Sequence, residues 1–132
     1  MIKSNVILIL KTFSAAEVNL FEDFLNSPFH NKNTKVIQFF NVLKKYHPAY
    51  TDNDLSKERL FKELFGNERY SESYIRNLFS DLNILAEKYL QYVHTAKNYT
   101  YEKFLIQELH TRDIRELMEK KIRFFEKKIN SE

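Results

Sequence analysis

Between Leu55 and Val93 the sequence repeats its apolar side chains three and four positions apart. Ile75, Leu78, Phe79, Leu82, Leu85, Ala86, Tyr89, Leu90 and Val93 fall on one stripe of a helix, a spacing that the two-residue alternation of a strand cannot use. A shorter run of the same kind, Leu60, Phe61, Leu64 and Phe65, precedes it and stops at Gly66, the one glycine in the chain. Helices commonly end on a residue that accepts positive φ, and glycine does so without steric cost. Ser56 stands before the first run, and Ser71 or Ser73 before the second, where a hydroxyl can accept from the free amides of a helix start. The stretch predicts a helix, a tight turn and a longer helix.

Composition limits what can surround that pair. With one glycine and two prolines among 132 residues, β-hairpins have few positive-φ residues to turn on, and helices joined by short polar loops are favoured. Twelve Phe and eight Tyr can fill one core in a chain of this length. The expectation is an all-α fold, a single compact bundle of five or six helices over residues 1–132 with a helix-turn-helix-like central pair. Phe21, Phe24, Phe39, Phe40, Phe61, Phe65, Leu78, Leu82 and Leu85 are its expected core.

The flanking segments fit that expectation. Ile2 to Phe13 reads as a buried strand or a short helix, and with no second strand in prospect helix is preferred. Ser14 and Glu17 have capping-box spacing and start a helix whose face is Val18, Phe21, Phe24 and Leu25; Pro28 stops it. In the SPFHNKN connection Phe29 is expected to tuck under the helix ends. Asn33 or Thr34 can cap the next helix, which is apolar around much of its circumference from Val36 to Tyr46 and should be central. Beyond Val93, Thr100 can cap a long run to Ile129, and Thr111 can start a fresh helix within it, so one or two helices remain open. Glu116 with Lys120, and Glu119 with Arg123, have the i, i+4 spacing of exposed ion pairs.

Function classes fall away for want of parts. The chain has no cysteine, hence no disulfide, thiolate nucleophile or Cys-type zinc site. A single glycine removes phosphate loops, dinucleotide folds and the nucleophile elbow. His30, His47, His94 and His110 sit on separate elements without metal-ligand spacing, and the acidic pairs Glu22 with Asp23 and Asp52 with Asp54 lie at helix ends or in a loop. No catalytic, cofactor-binding or metal-binding residue is assigned, and no enzyme is expected. The longest apolar run, Val6 to Leu10, is too short for a membrane span or a signal-peptide core, so a soluble, cytoplasmic chain without a membrane role is expected.

Two motifs carry functional expectations. The carboxy-terminal amphipathic segment places Ile114, Leu117, Met118, Ile122, Phe125 and Ile129 on a stripe that must be buried against its own bundle or against another helix. A non-catalytic interaction or assembly module, with a protein partner or with self-association, is the leading expectation. The alternative is a DNA-binding protein whose second central helix enters the major groove by its first turns, presenting Ser71, Glu72, Tyr74, Arg76, Asn77 and Ser80, with Lys57, Arg59, Arg69 and Arg76 as phosphate or base contacts. A formal charge of +3 does not by itself imply a polyanionic partner.

The residues of that central pair, 55–90, resemble the core of the winged-helix domains of bacterial response regulators, in their Leu55-Ser56-Lys57 start, their Phe65-Gly66 turn and the helix ending in Leu78 to Leu82. The resemblance implies DNA binding. It departs at Asp81 and Asn83, where that family carries paired basic residues, and after Val93, where no strand-turn-strand sequence could form a wing. The longer run from Leu10 to Leu90, with FLNSPFHN, Tyr46-His47-Pro48 and LFGNERYSESYIRNLFSDL, resembles the amino-terminal helical region of longer bacterial proteins of unknown function. That likeness implies a helical domain ahead of further helical repeats, and a chain that is part of a longer protein.

Overall fold

A computed structural model describes residues 4–97 and 99–131, which form seven α-helices and one 3₁₀ turn, with no strand among them. The chain is all-α as expected, with seven helices instead of five or six, and its contacts divide it into two compact units, Met1–Tyr89 and Leu90–Glu132. Ile2 and Lys3 of the first expected element lie outside the described residues.

The first unit holds α1 (Asn5–Lys11), α2 (Ala15–Asn26), α3 (Thr34–Leu43), α4 (Lys57–Phe65) and most of α5 (Glu72–Ala96). The ambiguous apolar run is the helix α1, which buries Val6, Ile7 and Leu10 and leaves Leu8 exposed. Ser14 accepts from the Glu17 amide at 3.1 Å and starts α2. The capping box is only half used, because Glu17 turns its carboxylate to the Tyr89 hydroxyl, which donates at 3.2 Å. Asn33 caps α3 by accepting from the Lys35 and Val36 amides. Ser56 and Ser71 each accept the amide three residues on, at 3.2 and 3.3 Å. Gly66 closes α4 at φ 63°, its amide donating to the Lys62 carbonyl at 2.8 Å.

Packing then explains the order of these helices. α3 lies against both α2 and α4, the central place expected from its wide apolar surface, and buries Val36, Phe39, Phe40, Val42 and Leu43. Phe21 is fully buried and meets Phe13, Phe40 and Tyr89 edge to face at 5.6, 5.1 and 5.2 Å, so one ring ties together the α1–α2 connection, α2, α3 and α5. Phe39 and Phe79 repeat the arrangement at 4.9 Å between α3 and α5. Each such side chain contributes roughly 1.5 to 3 kcal/mol when buried. Of the nine expected core residues only Phe65 falls short, being half-buried at the carboxy-terminal end of α4.

Phe29 corrects the sequence reading outright. Its side chain is 94% exposed. The polar Asn31 takes the inner place in that connection: it is buried, donates to the Leu25 carbonyl at 2.9 Å, and accepts from the Asn33 amide at 2.9 Å. A loop that leaves a helix end must satisfy backbone groups, and an amide side chain does this where a ring cannot.

The second unit holds the end of α5, α6 (Thr100–Thr111) and α7 (Arg115–Asn130), with α6 packed on α7. The long carboxy-terminal run is two helices. Thr111 does not cap the second; it is the last residue of α6, and its hydroxyl donates back to the Gln107 carbonyl at 3.0 Å. The break is a Schellman motif: Asp113 adopts φ 59°, its amide donates to His110, and the Ile114 amide donates to Leu109 at 2.9 Å. Thr100 likewise does not cap α6, which follows Tyr99 at φ 57° without a side-chain cap. The Tyr101 hydroxyl donates to the Tyr92 carbonyl at 3.1 Å, and the two rings lie 5.7 Å apart. Leu109 is the one buried hydrophobic side chain among the described residues of this unit.

Candidate interaction surfaces

On the first unit, the expected DNA contacts divide by their electrostatics. Lys57 is paired with Glu72 at 3.3 Å, and Arg59 with Asp54 at 3.7 Å and Glu63 at 3.8 Å, so both cations already have carboxylate partners within their own fold. The Arg59 guanidinium also lies 6.0 Å from the Tyr46 ring centre, and the Tyr46 hydroxyl donates to Glu63. Accepting that hydrogen bond ties Glu63 to the neutral phenol and raises the Tyr46 pKa. Arg69, Arg76, Asn77 and Ser80 are exposed. The connection between α4 and α5, residues 66–71, is longer than the turn of about three or four residues that joins the helices of DNA-binding pairs.

Beside that connection lies an open cleft of about 310 Å³ lined by Lys35, Phe61, Phe65, Glu68, Arg69, Ser71 and Tyr74. Three rings line it, Phe65 meeting Tyr74 edge to face at 5.0 Å and Phe61 at a tilt at 4.7 Å, and Lys35 Nζ lies 5.8 Å from the Phe65 ring centre. Sequence periodicity placed Phe61 and Phe65 on one helix face; that Tyr74 would meet Phe65 depended on the fold of the connection.

The second unit leaves its apolar side chains much less covered. None of the α7 residues is buried. The expected stripe divides: Met118, Ile122 and Phe125 are half-buried, with Phe125 on the Tyr99 ring at 5.8 Å, whereas Ile114, Leu117 and Ile129 are 43%, 40% and 45% exposed. Phe124, one heptad beyond Leu117 and not among the expected stripe residues, is 66% exposed. On α6, Phe104 and Leu105 are exposed as well. The expected ion pairs of Glu116 with Lys120 and Glu119 with Arg123 do not form; Lys128 instead reaches Glu102 on α6 at 3.4 Å and lies over the Tyr99 ring. A smaller pocket of about 190 Å³ at the α6–α7 turn is lined by Leu109, His110, Asp113, Ile114, Arg115, Met118 and Glu119.

The titratable groups in protected places are tyrosines with structural surroundings. Burial pushes the Tyr50 hydroxyl up to about 12, and burial, the Glu17 charge and its hydrogen bond push Tyr89 up to about 12. His47 Nε2 lies 2.7 Å from the Phe13 carbonyl oxygen, and the His30 ring stacks on Phe24 at 4.5 Å. Among the described residues no three His, Asp or Glu gather as metal ligands would, and no helix is long and apolar enough to cross a membrane. Comparison with family models, curated proteins and solved structures returns no match for this chain.

Proposed function

We propose that this chain is a non-catalytic protein-interaction or assembly module that works through its carboxy-terminal helices. The observation that carries this reading is α7, an amphipathic helix of 16 residues without a buried side chain, together with Leu117, Phe124 and Ile129 open to solvent. Monomeric surfaces tolerate scattered apolar residues, but grouped aromatic and aliphatic side chains on one short helix mark a place where another surface sits. Large apolar residues covered on association supply most of the binding energy of such interfaces.

The test is site-specific photo-crosslinking in the cells that make the protein. A photoreactive residue at position 117, 124 or 129 should yield a discrete protein adduct, or a dimer of this chain, while the same residue at exposed Asn53 should not. The proposal fails if all three positions remain uncrosslinked. The DNA-binding alternative rests on Arg69 and Arg76, exposed and outside any ion pair among the described residues. It requires saturable binding to a mixed-sequence duplex that weakens steeply with salt and falls in Arg76→Ala.

A further inference from the structure

We infer that the partner surface received by α7 is acidic, an amphipathic helix or peptide whose apolar side chains are flanked by carboxylates; this rests on the interaction reading above and specifies its chemistry. At about 100° per residue, Leu117 and Phe124, one heptad apart, fall within about 20° of each other on α7. Lys120 and Lys121 lie within roughly 50° of that pair and Lys127 within roughly 70°. Glu119 and Glu126 point to the far side, about 150° to 170° away. The exposed ring of Phe124 therefore sits among ammonium groups; Glu119 and Glu126 are turned from it, and the remaining acid of the helix, Glu116, lies about 90° from the Leu117 and Phe124 pair, beyond Lys127.

Those ammonium groups are uncommitted. Lys128 is held by Glu102 and the Tyr99 ring, but Lys120, Lys121 and Lys127 are exposed and enter no ion pair among the described residues. Arg115, Lys120, Lys121, Arg123, Lys127 and Lys128 stand against Glu116, Glu119 and Glu126, so α7 alone carries an excess of positive charge as large as that of the whole chain. A second copy is a poor occupant of this face. Pairing two such faces antiparallel about Leu117 and Phe124 sets Lys120 against Lys121 of the other copy, and pairing them in parallel sets each lysine against itself. Like charges at such distances repel, whereas a partner carrying Glu or Asp around its apolar anchors gains both terms.

The experiment uses the full chain and two labelled synthetic peptides with the same Leu spacing at i, i+3, i+4 and i+7. One has Glu at every polar position and the other Lys. Fluorescence anisotropy at low and physiological salt should show saturable binding of the Glu peptide only, weakened at least about tenfold by Phe124→Ser and again by Lys120→Gln with Lys121→Gln. Both variants change exposed positions, and unchanged helical circular dichroism would show them folded. Equal binding of the two peptides, no binding of the Glu peptide, or binding indifferent to both variants overturns the inference. So does tighter binding to phosphatidylserine vesicles or duplex DNA than to the Glu peptide. Crosslinking at position 124 alongside a negative peptide result would leave an interaction module whose partner is not acidic.

Discussion

Two phenylalanines that sequence places equally in the interior separate by their contacts, and replacing each with alanine measures the difference. Phe21 is fully buried and has ring neighbours on every side, Phe13 at 5.6 Å, Phe24 at 6.3 Å, Phe40 at 5.1 Å and Tyr89 at 5.2 Å. Phe21→Ala removes the transfer free energy of the ring and leaves a cavity that helices from three parts of the chain would have to close. That change costs about 3 to 5 kcal/mol. The upper half is expected here, because each edge-to-face pair adds roughly 0.5 to 1.5 kcal/mol beyond the area it buries. Phe29→Ala, at a position 94% exposed, should lie within about 0.5 kcal/mol of the parent. Urea unfolding followed by circular dichroism gives both values, with an unchanged slope showing that stability alone has moved. Should Phe21→Ala be too unstable to purify, Phe21→Leu, expected to cost about 1.5 kcal/mol, serves in its place. A Phe21→Ala loss below about 1 kcal/mol, or equal losses at the two positions, would refute the ring cluster as the centre of the first unit.

Three further outcomes can be stated. Tyr50 is 3% exposed and its hydroxyl has no hydrogen-bond partner among the described groups, so Tyr50→Phe should hold or raise stability, by up to about 1 to 3 kcal/mol in urea unfolding; a loss above about 1 kcal/mol would show that the hydroxyl is satisfied. With Tyr50 and Tyr89 raised to about 12, the folded state holds protons that the unfolded state releases near 10. Their contribution to stability is therefore complete below pH 10 and is lost between about pH 10 and 12, which denaturation midpoints across that range would show as a fall made smaller in the Tyr50→Phe, Tyr89→Phe double variant. Gly66→Ala meets no steric contact, since a Cβ there has nothing within 4 Å, but the φ of 63° strains any other residue. A loss of about 1 to 3 kcal/mol is expected in thermal or urea unfolding, and none would mean the turn relaxes freely.

The helices themselves were legible because their signals are local. Ser14, Asn33, Ser56 and Ser71 cap the helices they precede, Gly66 ends the one it follows, and the spacing from Ile75 to Tyr89 marks the buried face of α5. Each of these depends on groups within four residues or on the period of a single helix. The division of the last run was less legible, because Asp113 occupies the left-handed position where glycine would have announced a helix end. Of the surfaces, the sequence marked Leu117 and Ile129 as apolar positions on a stripe, and it marked Arg69 and Arg76 as basic.

What the sequence by itself determined is an all-helical chain, with the approximate limits of most helices and the apolar face of each. Only the tertiary structure decided that Phe21 is central while Phe29 stands in solvent, that Lys57 and Arg59 are taken up by Glu72, Asp54 and Glu63, and that Phe124 is open beside unpaired lysines. The physical reason is range. Hydrogen-bonded caps and helical periodicity act between near neighbours in the chain, whereas burial and ion pairing depend on which other segments arrive, and a phenylalanine or a lysine carries no mark of what will come to lie against it.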